Sequence, residues 1–143
     1  VSFLDVVENH KIVVENSGLL TVAALRHLDV KNKKIVSILS GGNMDIITMS
    51  SVVQQGLIFR DRIFTVSVLL PDKPGELTKV SEVIASLNGN VIKLEHNQFV
   101  SINRNAAVEL RITLETFGTE HKNQIIKALE ENGYQPKQVR TNI

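Results

Sequence analysis

Residues able to do chemistry concentrate in three short stretches. Ser40-Gly41-Gly42-Asn43 sets a hydroxyl beside two residues without side chains, so a bound group can approach the backbone while Ser40 offers a donor and an acceptor. Glu15, in Glu15-Asn16-Ser17-Gly18, ends an apolar run in the same way that Ser40 does. The third stretch, Leu69 to Leu77, carries Asp72, Pro74 and Gly75. Pro74 suits a first helical position, and Gly75 leaves room beside the backbone. The free N–H groups opening a helix, with its dipole, suit a carboxylate or another anion. Asn88-Gly89-Asn90 then closes that helix. Each stretch also has a plain structural reading, as a tight strand-to-helix turn or a helix stop. His96 follows Glu95 at a strand end, but His10, His27 and His121 show no ligand spacing with it, and no metal site is expected.

The elements that position these residues fall into two groups. Ser2–His10 reads as a short helix capped by Ser2, Lys11–Glu15 as an apolar strand and Leu19–Leu28 as a buried helix. A second strand, Ile35–Leu39, leads to a helix running through Ile46, Ile47, Val52, Val53 and Leu57, with Asn43 as its cap. Strands buried on both faces imply a parallel βαβ unit, whose ligands lie beyond the carboxyl ends of the strands. Those ends are Glu15–Gly18 and Ser40–Asn43. Two parallel strands cannot cover both their faces alone. Residues 1–61 are therefore expected to be the last piece of a larger α/β domain, and a chain opening at Val1 agrees with that.

From Ile63 the period changes. Phe64, Val66, Val68 and Leu70 alternate on one strand; Leu77, Val80, Ile84 and Leu87 recur at helical spacing. Val91–His96 alternates again, and a polar excursion from Asn97 to Asn105 leads to Ala107–Glu115, with Val108, Leu110, Ile112 and Leu114 on one side. Thr119 reads as the cap of a helix through Ile125, Ile126 and Leu129, closed by Gly133, and Tyr134–Val139 as a last strand. The order βαββαβ is the ferredoxin-like plan, a four-stranded antiparallel sheet with both helices on one face. The other face, with Thr65, Ser67, Glu109, Arg111 and Thr113, is expected to meet solvent. The division is thus 1–61 and 62–143.

Composition excludes several classes. Sixteen basic residues stand against fifteen acidic ones, for a net charge of +1, which is no footprint for nucleic acid. Five Phe and one Tyr, none on the third strand, supply no stacking platform. No apolar run approaches the ~20 residues that a membrane helix needs. The absence of cysteine fits a reducing cytoplasm.

Two resemblances give these residues a role. Lys11 to Asn43, with Glu15-Asn-Ser-Gly18 and Val36-Ser-Ile-Leu-Ser-Gly-Gly-Asn-Met-Asp45, resembles the carboxyl-terminal part of the pyridoxal-phosphate-dependent threonine ammonia-lyases. That resemblance implies a tryptophan-synthase-β-like parallel-sheet domain. It makes Ser40, Gly41, Gly42 and Asn43 cofactor-binding, with Ser40 at the pyridine nitrogen and Glu15 near the pocket. A hydroxyl there leaves the ring nitrogen neutral, a weaker electron sink than a protonated ring and one suited to β-elimination. The family's Ser-Phe-Lys-x-Arg motif, which carries the Schiff-base lysine, does not occur in these 143 residues, so no catalytic residue is expected here. Leu70-Pro-Asp-Lys-Pro-Gly-Glu-Leu77, with Ile84, Asn88, Asn90-Val91 and Glu95-His96, resembles the ACT domain, a regulatory module that binds amino acids. It implies an effector, guessed as isoleucine or valine, at Asp72, Pro74 and Gly75, with Asn88 and Asn90 on the neighbouring edge. It also implies self-association as a dimer or higher. The alternative is a stand-alone amino-acid-sensing or dimerisation module without catalysis.

Overall fold

The computed structural model describes residues 1–97 and 108–142. The chain divides into two compact units, Val1–Gly56 and Leu57–Ile143. The polar excursion expected from Asn97 to Asn105 lies, beyond Asn97 itself, outside the described residues.

In the first unit, α1 (Ser2–His10) presents Phe3, Leu4 and Val6 to the interior. Ser2 lies inside the helix and makes no cap; the capping position is Val1. Phe3, Val6, Val14 and Leu19 form a small core, with Leu39, Met44, Met49, Val52 and Val53 packed on it. The helix expected over Leu19–Leu28 is broken into 3-10 turns at Ser17–Leu19 and Leu25–His27 around a five-residue α2 (Leu20–Ala24). None of α2 is buried, and Leu20 is 67% exposed. Neither Lys11–Glu15 nor Ile35–Leu39 forms a strand, because no ladder of backbone hydrogen bonds joins them to each other or to other described residues. Their carboxyl ends nevertheless meet, through the Glu15 N–H donating to Gly41 O at 3.1 Å. The unit leaves Ile12, Val13, Leu28, Ile35, Val36, Ile38, Ile46 and Ile47 exposed.

The unit boundary falls within α3 (Ile46–Phe59). The second unit follows the expected order: β1 (Ile63–Leu70), α4 (Glu76–Ser86), β2 (Asn90–Asn97), β3 (Val108–Glu115), α5 (Thr119–Glu131) and β4 (Lys137–Val139). The strands lie in the order β2-β3-β1-β4, and every adjacent pair is antiparallel. Phe64, Val66, Val68 and Leu70 of β1 and Leu110, Ile112 and Leu114 of β3 pack against Val80 and Ile84 of α4 and Ile125 and Leu129 of α5. Each side chain so buried stabilises the unit by about 1.5–3 kcal/mol. Gly89 follows α4 where a Cβ would stand 2.7 Å from Ile84 Cγ2, so only glycine lets the turn close on this core.

The other sheet face departs from expectation. Thr65, Ser67, Glu109 and Thr113 are buried. They sit on the two central strands among the longer Lys93, Glu95 and Arg111, and satisfy one another across the ladder: Thr65 and Thr113 Oγ1 are 2.9 Å apart, and Ser67 Oγ donates to Glu109 Oε1 at 2.7 Å.

Candidate functional site

The two stretches singled out in the first unit form one cluster. Glu15 Oε2 accepts the Asn43 N–H at 3.2 Å, and Ser17 Oγ donates to Glu15 Oε1. Gly41 has φ +81°, and a Cβ there would meet the Glu15 carboxyl at 2.4 Å. Gly18 is tighter still, since a Cβ would lie 1.8 Å from Ser40 O. The chain therefore needs glycine at 18 and 41 to seat Glu15 against the Ser40–Asn43 turn. Gly42 faces open space, and the exposed Ser40 hydroxyl has no hydrogen bond with the described residues. A donor, an open flank and a carboxylate held in place thus stand together.

The cap of α3 is Asp45, not Asn43. Asp45 Oδ1 accepts the Thr48 N–H at 2.8 Å and its other oxygen accepts the Thr48 hydroxyl, which holds the Asp45 carboxyl below its ordinary value. The helix starts two residues later than the Asn43 reading required, and the Asn43 N–H is spent on Glu15. Ser17 and Gly18 belong to the cluster as well, and the signal for them was Ser-Gly placed two residues after Glu15.

In the second unit, Asp72, Pro74 and Gly75 are exposed between β1 and α4. Gly75, with φ +90°, is the amino-terminal cap of α4, so Pro74 precedes the helix instead of opening it. Asn88, at φ 60°, and Asn90 lie past the other end of α4, and Asn90 Nδ2 donates to Glu115 Oε2 at 3.1 Å. An eleven-residue helix is about 16 Å long, so one copy of the chain does not bring the loop and the asparagines together.

Asn88 borders a different feature, a cavity of about 560 Å³ lined by Leu87, Phe117, Gly118, Thr119 and His121 among others. His121 is buried beneath it. Its Nδ1 accepts the Phe117 N–H at 3.1 Å, so Nε2 carries the proton and donates to Leu87 O at 2.7 Å. Nearby, Thr119 does not cap α5; the cap is Gly118, and Thr119 Oγ1 donates to Asp61 Oδ2 at 2.8 Å. Lys122 Nζ stands 2.7 Å from Asp61 Oδ1, and this hydrogen bond above all holds the Asp61 carboxyl below its ordinary value. The roles of Asp61 and His121 depend on contacts between residues 34 to 61 positions apart, which no local pattern announces.

Among the described residues no group of three or more His, Asp or Glu side chains is placed to hold a metal, and no helix is long and apolar enough to cross a membrane.

No protein-family model matches the chain. The L-threonine ammonia-lyase of Thermotoga maritima is 31% identical over 135 residues, covering 94% of this chain and 34% of that protein. The L-threonine ammonia-lyase of Geobacter sulfurreducens is 36% identical over 129 residues, covering 89% and 32%. The biosynthetic L-threonine dehydratase of Pasteurella multocida is 29% identical over 136 residues, covering 91% and 25%. The chain spans about a third of the length of the first two relatives. Over most of its length, the chain is a homologue of the L-threonine ammonia-lyases and biosynthetic threonine dehydratases.

Proposed function

We propose that this chain is the carboxyl-terminal part of a threonine ammonia-lyase: the end of the cofactor domain followed by one ACT regulatory domain. The observation that carries the reading is the cluster that seats Glu15 against Ser40–Asn43 with the Ser40 hydroxyl free beside open space at Gly42. Those residues fit the edge of a pyridine ring. Ser40 would donate its hydroxyl proton to the unprotonated ring nitrogen, while Glu15 and the Asn43 N–H hold the turn in shape. Pyridoxal phosphate, when bound, supplies the electron sink for loss of the α-proton and the β-hydroxyl of threonine, giving 2-oxobutanoate and ammonia. The exposed Val36 and Ile38, at 90% and 77%, support the same reading, since side chains of that kind in a parallel sheet belong under neighbouring elements.

The regulatory half of the proposal rests on the ferredoxin-like unit and its 71–75 loop. One copy leaves that loop and Asn88 and Asn90 at opposite ends of α4, so the effector site is completed by a second copy. The edge strand β2 is where that copy would add: Val91, Ile92 and Leu94 are each about 40% exposed there. Isoleucine or valine is the proposed effector.

The catalytic half is tested by assaying the full-length protein for 2-oxobutanoate and ammonia from threonine. Ser40→Ala should lower turnover with cofactor retained, and a cofactor-loaded protein that forms no keto acid from threonine overturns the reading. Calorimetric titration with isoleucine, valine, threonine and serine, with mass in solution determined alongside, tests the regulatory half. Saturable binding to a dimer, lost in Gly75→Val, supports it. A well-folded protein that binds none of the four removes Asp72, Pro74, Gly75, Asn88 and Asn90 from any effector site.

A further inference from the structure

The sheet face turned away from the helices carries a cavity of about 300 Å³ lined by Thr65, Lys93, Glu95, Arg111, Thr113, Val139, Arg140 and Asn142. Three strands set its residues by register: Lys93 opposes Thr113 and Thr113 opposes Thr65, while Glu95 opposes Arg111. The rim thus holds three cations against one carboxylate. Two of those charges are matched locally, Lys93 with Glu95 at 2.8 Å and the Nε edge of Arg111 with Glu109 at 3.1 Å. Hydrogen bonds from Lys93 to Glu95, and from Ser67 and Arg111 to Glu109, hold both carboxyls below their ordinary values, so the two acids stay ionised and committed. What is left over is cationic. Arg140 makes no ion pair or hydrogen bond with the described residues, and the half-exposed Arg111 turns its Nε edge to Glu109.

The floor has a donor left over as well. Thr65 and Thr113 are 5% and 4% exposed, and their hydroxyls share one hydrogen bond. Two hydroxyls bring two protons, and one bond uses one of them. The second O–H has no acceptor among the described residues and is left to donate to a group in the cavity that both threonines line. Val139 adds an apolar side chain beside these donors.

We infer that this cavity is a binding site for a small organic carboxylate, with Arg111 and Arg140 on its oxygens, the threonine pair donating a hydroxyl, and Val139 against its carbon skeleton. Guanidinium groups match the planar carboxylate with paired N–H donors. Val139 beside the cations favours such a ligand over inorganic phosphate. The site is separate from the 71–75 loop and does not depend on the catalytic reading.

The test is calorimetric titration of the whole chain with 2-oxobutanoate, isoleucine and inorganic phosphate in turn, against Arg140→Gln and Gly75→Val. Arg140 is exposed and has no partner to lose among the described residues, so its replacement should leave folding intact. Binding of a carboxylate that Arg140→Gln weakens about tenfold or more, and Gly75→Val leaves unchanged, is the expected result. Arg111→Gln should weaken it likewise, with unchanged circular dichroism. Carboxylate binding that Gly75→Val abolishes and Arg140→Gln spares places the ligand at the loop and overturns the inference. So does phosphate binding as tightly as either carboxylate, or no carboxylate binding to a folded protein at millimolar concentration.

Discussion

Replacing Lys122 by Met removes the charge of a largely buried ion pair while keeping the length of the side chain. Lys122 and Asp61 are 11% and 21% exposed, and their Nζ–Oδ1 distance is 2.7 Å. Removing one member of a fully buried pair costs about 3–5 kcal/mol, whereas an exposed pair contributes about 0–1 kcal/mol. Asp61 here is four-fifths covered and keeps the Thr119 hydroxyl, so the expected loss is about 2 kcal/mol at neutral pH. With an m-value in urea of about 1 kcal/mol/M for a unit of this size, the midpoint should fall by about 2 M. Tyr134 packs on the core of the second unit and is the sole tyrosine in a chain without tryptophan, so its fluorescence reports that unit alone.

The sign with pH follows from Asp61. Its carboxyl is held below its ordinary value in the folded state, chiefly by the Lys122 hydrogen bond. Stability from the pair is therefore fully present above about pH 4 and is lost as pH falls through the folded value. The gap between the natural chain and Lys122→Met should narrow over that acid range. A double-mutant cycle with Asp61→Asn isolates the pair; asparagine tolerates the left-handed φ of 54° at that position. A coupling below about 0.5 kcal/mol at pH 7, or a gap that does not close in acid, would refute the reasoning.

Three further outcomes follow from single positions. Gly18→Ala forces a Cβ into Ser40 O at 1.8 Å and Val14 Cγ1 at 2.7 Å, and should destabilise the first unit by about 3 kcal/mol or more, read as faster amide exchange there with Tyr134 fluorescence unchanged. His121→Leu leaves the Phe117 N–H and the Leu87 carbonyl without their partner, and should cost about 2–3 kcal/mol in the Tyr134-monitored urea transition. At Gly75 a Cβ meets no atom within 4 Å but the backbone has φ +90°, so strain in Gly75→Val should cost about 1–2 kcal/mol in the Tyr134-monitored transition, and a larger loss would refute strain as the sole cost.

The second unit was legible because its elements carry their own signals. Alternation in Phe64–Leu70 and Val108–Leu114, a helical period in Leu77–Leu87 and glycine stops after both helices name each element and its buried face without reference to anything distant. The first unit was less so. Leu19–Leu28 reads as one apolar helix, but burial of an apolar segment requires a surface to bury it against, and the described residues cover α2 only in part, at Val22 and Ala23. Caps were misplaced for a local reason. Asn43, Asp45 and Thr48 all suit a helix start, and the choice among them was decided by Glu15, which takes the Asn43 N–H from 28 positions away. The buried polar face of the sheet was missed because alternation tells which residues share a face and not whether their neighbours shield them.

The polar bonds that the sequence hid gather at one end of the second unit. The Thr116 hydroxyl donates to Asp61 O, and the Thr116 N–H to Arg62 O at 2.8 Å, joining the end of β3 to the residues that precede β1. Asp61 binds Thr119 and Lys122 at the start of α5, and His121 reaches from α5 to Leu87 at the end of α4. The end of β3 and the start of α5 are therefore tied directly to residues 61 and 62, and α4 is tied to α5 through His121, by hydrogen bonds, which are directional and tolerate little sliding. At the far end of α4 the 71–75 loop is exposed, and Gly75 has open space around the position of a Cβ. A ligand held at that loop would act on the free end of a helix whose other end is bonded to His121 of α5. If an effector binds there as proposed, the expected route from the loop to residue 61 runs through α4, His121, α5 and Asp61. The Lys122→Met and His121→Leu variants should accordingly weaken any effect of an effector on the residues before β1 while leaving its binding at the loop largely unchanged, a separation that titration and amide exchange read independently.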